Sequence, residues 1–200
     1  MKTLVEYSFP EVVAEWNGIV LVGEAPGAEE VRLGKPFVGR SGKLLDKMLA
    51  NAGIEREKTI IANVFRYRPP ANKVGEFFIS AKKSETEKIK IAKQYGKLGG
   101  QFCKAEFVGE LKNLAKMLKK KKPRIAVALG RTALWGLTGK DTLKDSLGKI
   151  TDSRLCEGVR VLATYHPSFI LRGNWKLEDE WAEHFRLIVK ISLAKRKHKL

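Results

Sequence analysis

Three strand-like runs end in groups that could grip or polarise a substrate. Gly23-Glu24-Ala25-Pro26-Gly27 places a carboxylate in a glycine-rich turn directly after the apolar run Ile19-Val20-Leu21-Val22. Far along the chain, His166-Pro167-Ser168 places an imidazole after the run Val159 to Thr164, again at a proline break. Between them, Thr59-Ile60-Ile61-Ala62 ends at Asn63, whose side-chain amide can donate and accept at once. An aromatic ring, Phe37, follows the first turn. Strand-end loops that each carry one polar group are the layout of a pocket at the edge of a parallel sheet. By residue type alone, a strand-end Asn as readily completes a turn, and a single His there is often structural.

The elements that must position these groups alternate. Strand-like runs recur at about 18–22, 59–64, 124–129 and 159–164. Helical spacing carries Leu44, Leu45, Met48 and Leu49 after Ser41-Gly42. It recurs in Phe107, Leu111, Leu114 and Leu118, in Thr132 to Leu137, and in Leu177, Trp181, Phe185, Ile188 and Ile191. The expected fold is α/β, with a central, mostly parallel four-stranded sheet flanked by helices. One domain spanning 1–200 is expected. A Lys-rich insertion at about 71–101 shows a helical pattern over Lys82 to Lys97, and a basic tail covers 195–200.

Composition narrows the partner. The formal charge is +17 over 200 residues, more than solubility requires. Such an excess favours polyanions, because Lys and Arg release condensed counterions from phosphates; a lysine-rich bias of the source genome explains it equally well. Two cysteines, Cys103 and Cys156, form no Cys-x-x-Cys pair. That speaks against a disulfide framework and a closed zinc site. No signal peptide or membrane-length apolar run is visible, so the expected setting is intracellular and reducing.

Taken together, these segments resemble the uracil-DNA glycosylase superfamily, and within it the family-four type that carries a [4Fe–4S] cluster. The resemblance lies in Gly23 to Gly27, in Gly34-Lys35-Pro36-Phe37-Val38-Gly39-Arg40-Ser41-Gly42, and in Asn63-Val64-Phe65-Arg66-Tyr67-Arg68-Pro69-Pro70. It continues through Ala128-Leu129-Gly130-Arg131-Thr132-Ala133 and Thr164-Tyr165-His166-Pro167-Ser168-Phe169-Ile170-Leu171-Arg172. The cluster ligands of that type are a Cys pair near the N-terminus, a Cys just before Arg-Pro-Pro and one further on. Here the pair is missing, Tyr67 precedes Arg68-Pro69-Pro70, and only Cys103 matches a ligand position. One thiolate cannot hold a four-thiolate cluster, so no metal or cofactor is expected, and the insertion is expected to take over its structural role. The related branch that bonds covalently to DNA uses a histidine in an Arg-rich loop, which this chain lacks.

The resemblance implies a division of labour. The target base must leave the stack, because its N-glycosidic bond is unreachable inside a duplex. Phe37 would be the floor under the extruded uracil, with Gly23 and Ala25 lining the ring. Asn63 would donate to O4 and accept from N3–H. Cytosine reverses that pattern and would strand buried groups at about 1–3 kcal/mol each. His166 would hydrogen-bond the charge growing on O2. Glu24 would orient water or stabilise the sugar cation, since the Asp of many uracil glycosylases is here Ala25. Glu30 would fill the space that Gly27 leaves open beside C5. Along the DNA, Ser168 and the amides of Gly39, Ser41 and Gly42 would meet phosphates. Pro69 and Pro70 would press on the backbone, Ile170 or Leu171 would wedge into the vacated stack, and Arg172 would sit beside the phosphates. The expected partner is uracil-containing DNA, single- or double-stranded, bound by a monomer. The alternatives are a glycosylase for hypoxanthine or a modified uracil, and a catalytically silent DNA-binding scaffold.

Overall fold

A computed structural model describes residues 3–193. In chain order its elements are β1 (Ile19–Gly23), α1 (Ala28–Leu33), α2 (Arg40–Asn51), β2 (Ile60–Asn63), β3 (Phe78–Ile79), α3 (Ala81–Thr86), β4 (Lys97–Leu98) and β5 (Gln101–Cys103). There follow α4 (Val108–Lys121), β6 (Ile125–Leu129), α5 (Arg131–Thr138), β7 (Ile150–Asp152), β8 (Arg160–Thr164), α6 (Pro167–Leu171) and α7 (Glu178–Leu193).

The central sheet has the order β2-β1-β6-β8-β7, parallel except for β7, which runs antiparallel to β8. Its parallel strands are almost unbroken apolar runs because both faces are covered. Val20, Val22, Ala126 and Ala128 face a cluster built on Leu111 and Leu114 of α4 and Trp135 of α5. Leu21, Val127 and Leu162 face Leu45 and Leu49 of α2 and Trp181 and Phe185 of α7. The chain leaves β1 for β2 on one side and later returns to β6 on the other. The topological switch therefore lies between β1 and β6, at the edge where Gly23, Asn63, Leu129 and Thr164 end their strands.

The sheet has five strands rather than the expected four. The extra one, β7, is three residues long with Ile150 exposed, so it carries no apolar run to announce it. The insertion also differs from expectation. α-Helix is confined to α3, with only a 3₁₀ turn at Lys93–Tyr95 beyond it, Ile91 bridges to Lys104, and β3-β5-β4 form a small antiparallel sheet. Gly99 and Gly100 take φ of +60° and +80° between β4 and β5, the left-handed pair that a two-residue hairpin turn demands. Phe77, Phe78 and Phe107 of this region pack edge-on against Phe65, just beyond β2. The tail at 195–200 lies outside the described residues.

Behind that aromatic nest, Arg66 fastens three segments. Its amide and Nε donate to Glu110 Oε2 at 2.9 Å each, Nη2 donates to Oε1 at 3.1 Å, and Nη1 reaches Glu6 at 2.9 Å. Glu110 is buried on α4, and Val5 N–H donates to the Arg66 carbonyl. Removing one partner of such a pair leaves the other charge buried and alone. Arg66→Met is expected to cost about 3–5 kcal/mol, read as a lower urea midpoint at unchanged slope.

Candidate active site

The cleft forms around an atom that is missing. A β-carbon on Gly23 would lie 2.5 Å from Asn63 Oδ1 and 2.5 Å from Phe37 Cζ, so only glycine lets the amide and the ring close in from either side. Parallel pairing sets Asn63 directly beside Gly23, and Val64 N–H and Phe65 N–H continue the ladder onto the Gly23 and Glu24 carbonyls. The Asn63 side chain is buried, and its amide makes no hydrogen bond among the described residues.

Phe37 reaches the cleft in the left-handed region, φ +54°, a conformation costing about 1–2 kcal/mol for a residue with a β-carbon. Two contacts offset that cost. Arg56 Nη2 donates to the Pro36 and Phe37 carbonyls at 3.0 Å each, while its Nη1 pairs with Asp46. Beneath the ring, a β-carbon on Gly42 would fall 1.9 Å from the Phe37 carbonyl oxygen, so α2 approaches this loop only through a glycine. Glu30 ties the neighbouring loops together. Its Oε2 accepts from Gly27 N–H at 3.0 Å, and its Oε1 accepts from Val38 and Gly39 N–H at 3.0 and 2.8 Å.

On the opposite wall, His166 caps α6. Its Nδ1 accepts from Ser168 N–H at 3.1 Å and lies 2.8 Å from Ser168 Oγ, which accepts from Arg172 Nη1 at 3.1 Å. A nitrogen that accepts from an amide carries no proton, so the neutral ring bears its hydrogen on Nε2. Burial, seconded by the Arg172 charge, pushes the imidazole down to about 4, and the ring is neutral at physiological pH. The Phe37 and His166 ring centroids are 5.7 Å apart. Glu24 is held by Thr132 Oγ1, which donates to its Oε2 at 2.5 Å across the switch from the start of α5. Burial raises the Glu24 carboxyl above its ordinary value, while the Thr132 hydrogen bond and the Arg172 charge pull against it.

One cavity of about 410 Å³ is lined by Glu24, Ala25, Gly27, Glu30, Phe37, Gly39, Ser41, Asn63, Pro69, His166, Ser168 and Arg172, within the size range of small-molecule sites. Pro70 is exposed beside it and Leu171 is half-buried. Two expectations are corrected. Ile170 is fully buried in the core beneath α2 and α7, because the short α6 turns it inward, so it is no wedge. The Gly39 amide is occupied by Glu30 and cannot serve a phosphate. Gly42 is buried against the Phe37 carbonyl, a close approach that only a glycine allows. Sequence reasoning missed Thr132 and Arg56, which act through Glu24 and Phe37. Thr132 had a signal, its place in the segment after β6; Arg56 had none.

The residues present do not fit a four-thiolate iron–sulfur cluster. The chain has two cysteines, both buried in the apolar cluster, and burial pushes the Cys103 thiol up to about 12. Among the described residues no three His, Cys, Asp or Glu side chains gather as a metal site would require. Nor is any described helix long and apolar enough to cross a membrane.

Comparison with known proteins bears on the same cleft. The Uracil DNA glycosylase superfamily model matches residues 11–189. The chain is 37% identical over 169 residues to the Type-4 uracil-DNA glycosylase of Thermotoga maritima, covering 82% of this chain and 72% of that one. It is 34% identical over 193 residues to the Type-4 enzyme of Archaeoglobus fulgidus, 94% of this chain and 82% of that one. With that of Pyrobaculum aerophilum it shares 33% over 162 residues, 78% and 68% of the two chains.

The packing at Gly42 is open to a direct check. Gly42→Ala is expected to push the Phe37 loop outward and destabilise the fold by about 1–3 kcal/mol, measured as a lowered denaturation midpoint. Ser41→Ala, one residue earlier and half-buried, should leave the midpoint within about 0.5 kcal/mol.

Proposed function

Because the chain belongs to the uracil-DNA glycosylase superfamily, we propose that it acts as a uracil-DNA glycosylase of base-excision repair, hydrolysing the bond between uracil and deoxyribose. We further assign it a cluster-free, monomeric mode of action on DNA inside the cell. The observation that carries the reading is the convergence of Glu24, Phe37, Asn63 and His166 on one cavity.

In this reading the extruded uracil lies against Phe37. The Asn63 amide, unengaged by the protein, donates to O4 and accepts from N3–H. The His166 Nε2–H, fixed by the Ser168 amide on the other nitrogen, points its donor at O2 as the C1′–N1 bond breaks and charge moves into the ring. A neutral donor is enough, because a buried imidazolium beside Arg172 would be costly. The Glu24 carboxylate faces the cationic sugar and orients the water whose oxygen joins C1′. The water's surplus proton leaves to solvent, and the uracil anion is protonated there. Glu30 occupies the space a larger side chain at position 27 would take, since a β-carbon there would lie 2.7 Å from its Oε2. A carboxylate so tied to three amides is a rigid obstacle to a C5 methyl. Ser41, Gly42, Pro69, Pro70, Leu171 and Arg172 remain for the DNA strand.

The primary test is uracil release from single- and double-stranded oligonucleotides, scored as strand cleavage after alkali; intact strands at high enzyme would overturn the reading. Asn63→Asp is expected to lower kcat/KM on uracil by about 10–100-fold, because a carboxylate cannot donate to O4. Side-by-side thymine and hypoxanthine strands should stay uncut.

The pH profile separates the two catalytic groups. His166 stays neutral down to about 4, so it imposes no acid limb above that point. Glu24 must be ionised and burial raises its carboxyl above the ordinary carboxylate range, so activity should fall as pH drops through a limb displaced upward from that range. Thr132→Val removes the hydrogen bond that favours the carboxylate, and should move that limb to higher pH. Glu24→Gln should abolish the limb along with most of the rate. A limb that Thr132→Val leaves in place would assign it to another group.

A further inference from the structure

The cleft does not end at His166. Beyond the imidazole a second cavity of about 520 Å³ opens, sharing Glu24, His166, Ser168 and Arg172 with the first. Its floor is apolar and partly aromatic. Tyr165 and Phe169 lie near-parallel and offset, with centroids 5.7 Å apart and planes within 16°, beside Leu143 and Leu147. Tyr165 is buried and pinned by its hydroxyl to Glu180 at 3.1 Å, so it backs the half-exposed Phe169 as a rigid plate. The lining is cationic, with exposed Lys144 and Arg172; Arg131 also lines it but is paired with Asp141 at 2.7 Å. The acid on this wall is Glu24, which Thr132 holds from the far side.

A supported aromatic face in a cationic lining is the chemistry that holds an unpaired base and its phosphate. We infer that this cavity seats the nucleotide adjoining the uracil in the same strand, its base stacked on Phe169 and its phosphate between Lys144 and Arg172. The inference rests on the glycosylase reading and adds a substrate class to it. A neighbour seated here cannot remain paired, so single-stranded DNA is the favoured substrate.

The test uses single strands in which the 5′ or the 3′ neighbour of uracil is replaced by a tetrahydrofuran abasic residue, which keeps the phosphate but removes the base. One of the two replacements is expected to lower kcat/KM about tenfold and the other to leave it nearly unchanged. Phe169→Ala should show the lowered value on the intact strand and no further loss on the sensitive abasic strand. If circular dichroism shows Phe169→Ala to be misfolded, Leu143→Asp at the cavity wall enters the same cycle. Indifference of the wild type to both replacements, equal losses on both sides, or losses that multiply with the variant would each overturn the inference. Uracil release from none of the strands would overturn the glycosylase reading itself and the inference with it.

Discussion

Steric exclusion at Gly23 governs the cleft. Asn63 arrives by strand pairing, which is stiff and fixed in register, whereas Phe37 arrives on a loop held in a conformation that phenylalanine disfavours. The two can meet only over a residue without a side chain. The remaining supports follow from holding that encounter in place. Arg56 satisfies the carbonyls that the left-handed turn presents, Gly42 lets α2 rise against the same turn, and Glu30 gathers the amides on its far side. Each contact is individually modest, about 1 kcal/mol net, but together they over-determine one loop, which is how a disfavoured backbone conformation persists.

The same economy of parts appears in the electrostatics. Arg172 is the cation that bears on both His166 and Glu24, with opposite results. It disfavours a proton on the imidazole and favours loss of one from the carboxyl, so a single charge biases each group toward its proton-free form, the form the proposed hydrolysis calls for. Burial would move both toward neutrality. For His166 that adds to the Arg172 effect, and for Glu24 it opposes it, which is why Thr132 matters to the carboxylate and has no counterpart on the imidazole. The Ser168 amide then decides which ring nitrogen carries the hydrogen, a matter of orientation that charge alone leaves open.

How much of this was legible in the sequence follows from the range of each interaction. Gly23, Asn63 and His166 stand at the ends of apolar runs, and strand ends of a parallel sheet share one edge, so their neighbourhood was readable from pattern alone. The bond from Thr132 to Glu24 spans 108 residues and that from Arg56 to Phe37 spans 19, with no periodicity to mark either. The insertion misled for a different reason. Ile89, Ile91 and Ala92 satisfy helical and alternating spacing about equally over so short a stretch, and pairing of Ile91 with Lys104 decided the matter from outside the segment. Ile170 misled because a five-residue helix turns one member of any apolar triplet inward, and the sequence does not say which.

The resemblance to family-four enzymes raises a question of mechanical support, since the iron–sulfur ligands of that type come from the N-terminus, the residue before Arg-Pro-Pro and a later segment. In this chain Tyr67 occupies the middle position and bridges to Leu4 near the N-terminus. Its neighbour Arg66 reaches Glu6 on one side and Glu110 of α4 on the other. The insertion, expected to take over the cluster's role, contributes an aromatic pack around Phe65. The two devices differ in kind. Aromatic packing stabilises in proportion to area and tolerates small displacements, whereas a bidentate guanidinium–carboxylate pair fixes direction. Asn63 lies three residues before Arg66 on the same stretch of backbone, so a directional tie at Arg66 limits rotation of the strand end that presents the amide. A cross-link of charge in this place therefore constrains the orientation of the Asn63 amide as well as the stability of the chain.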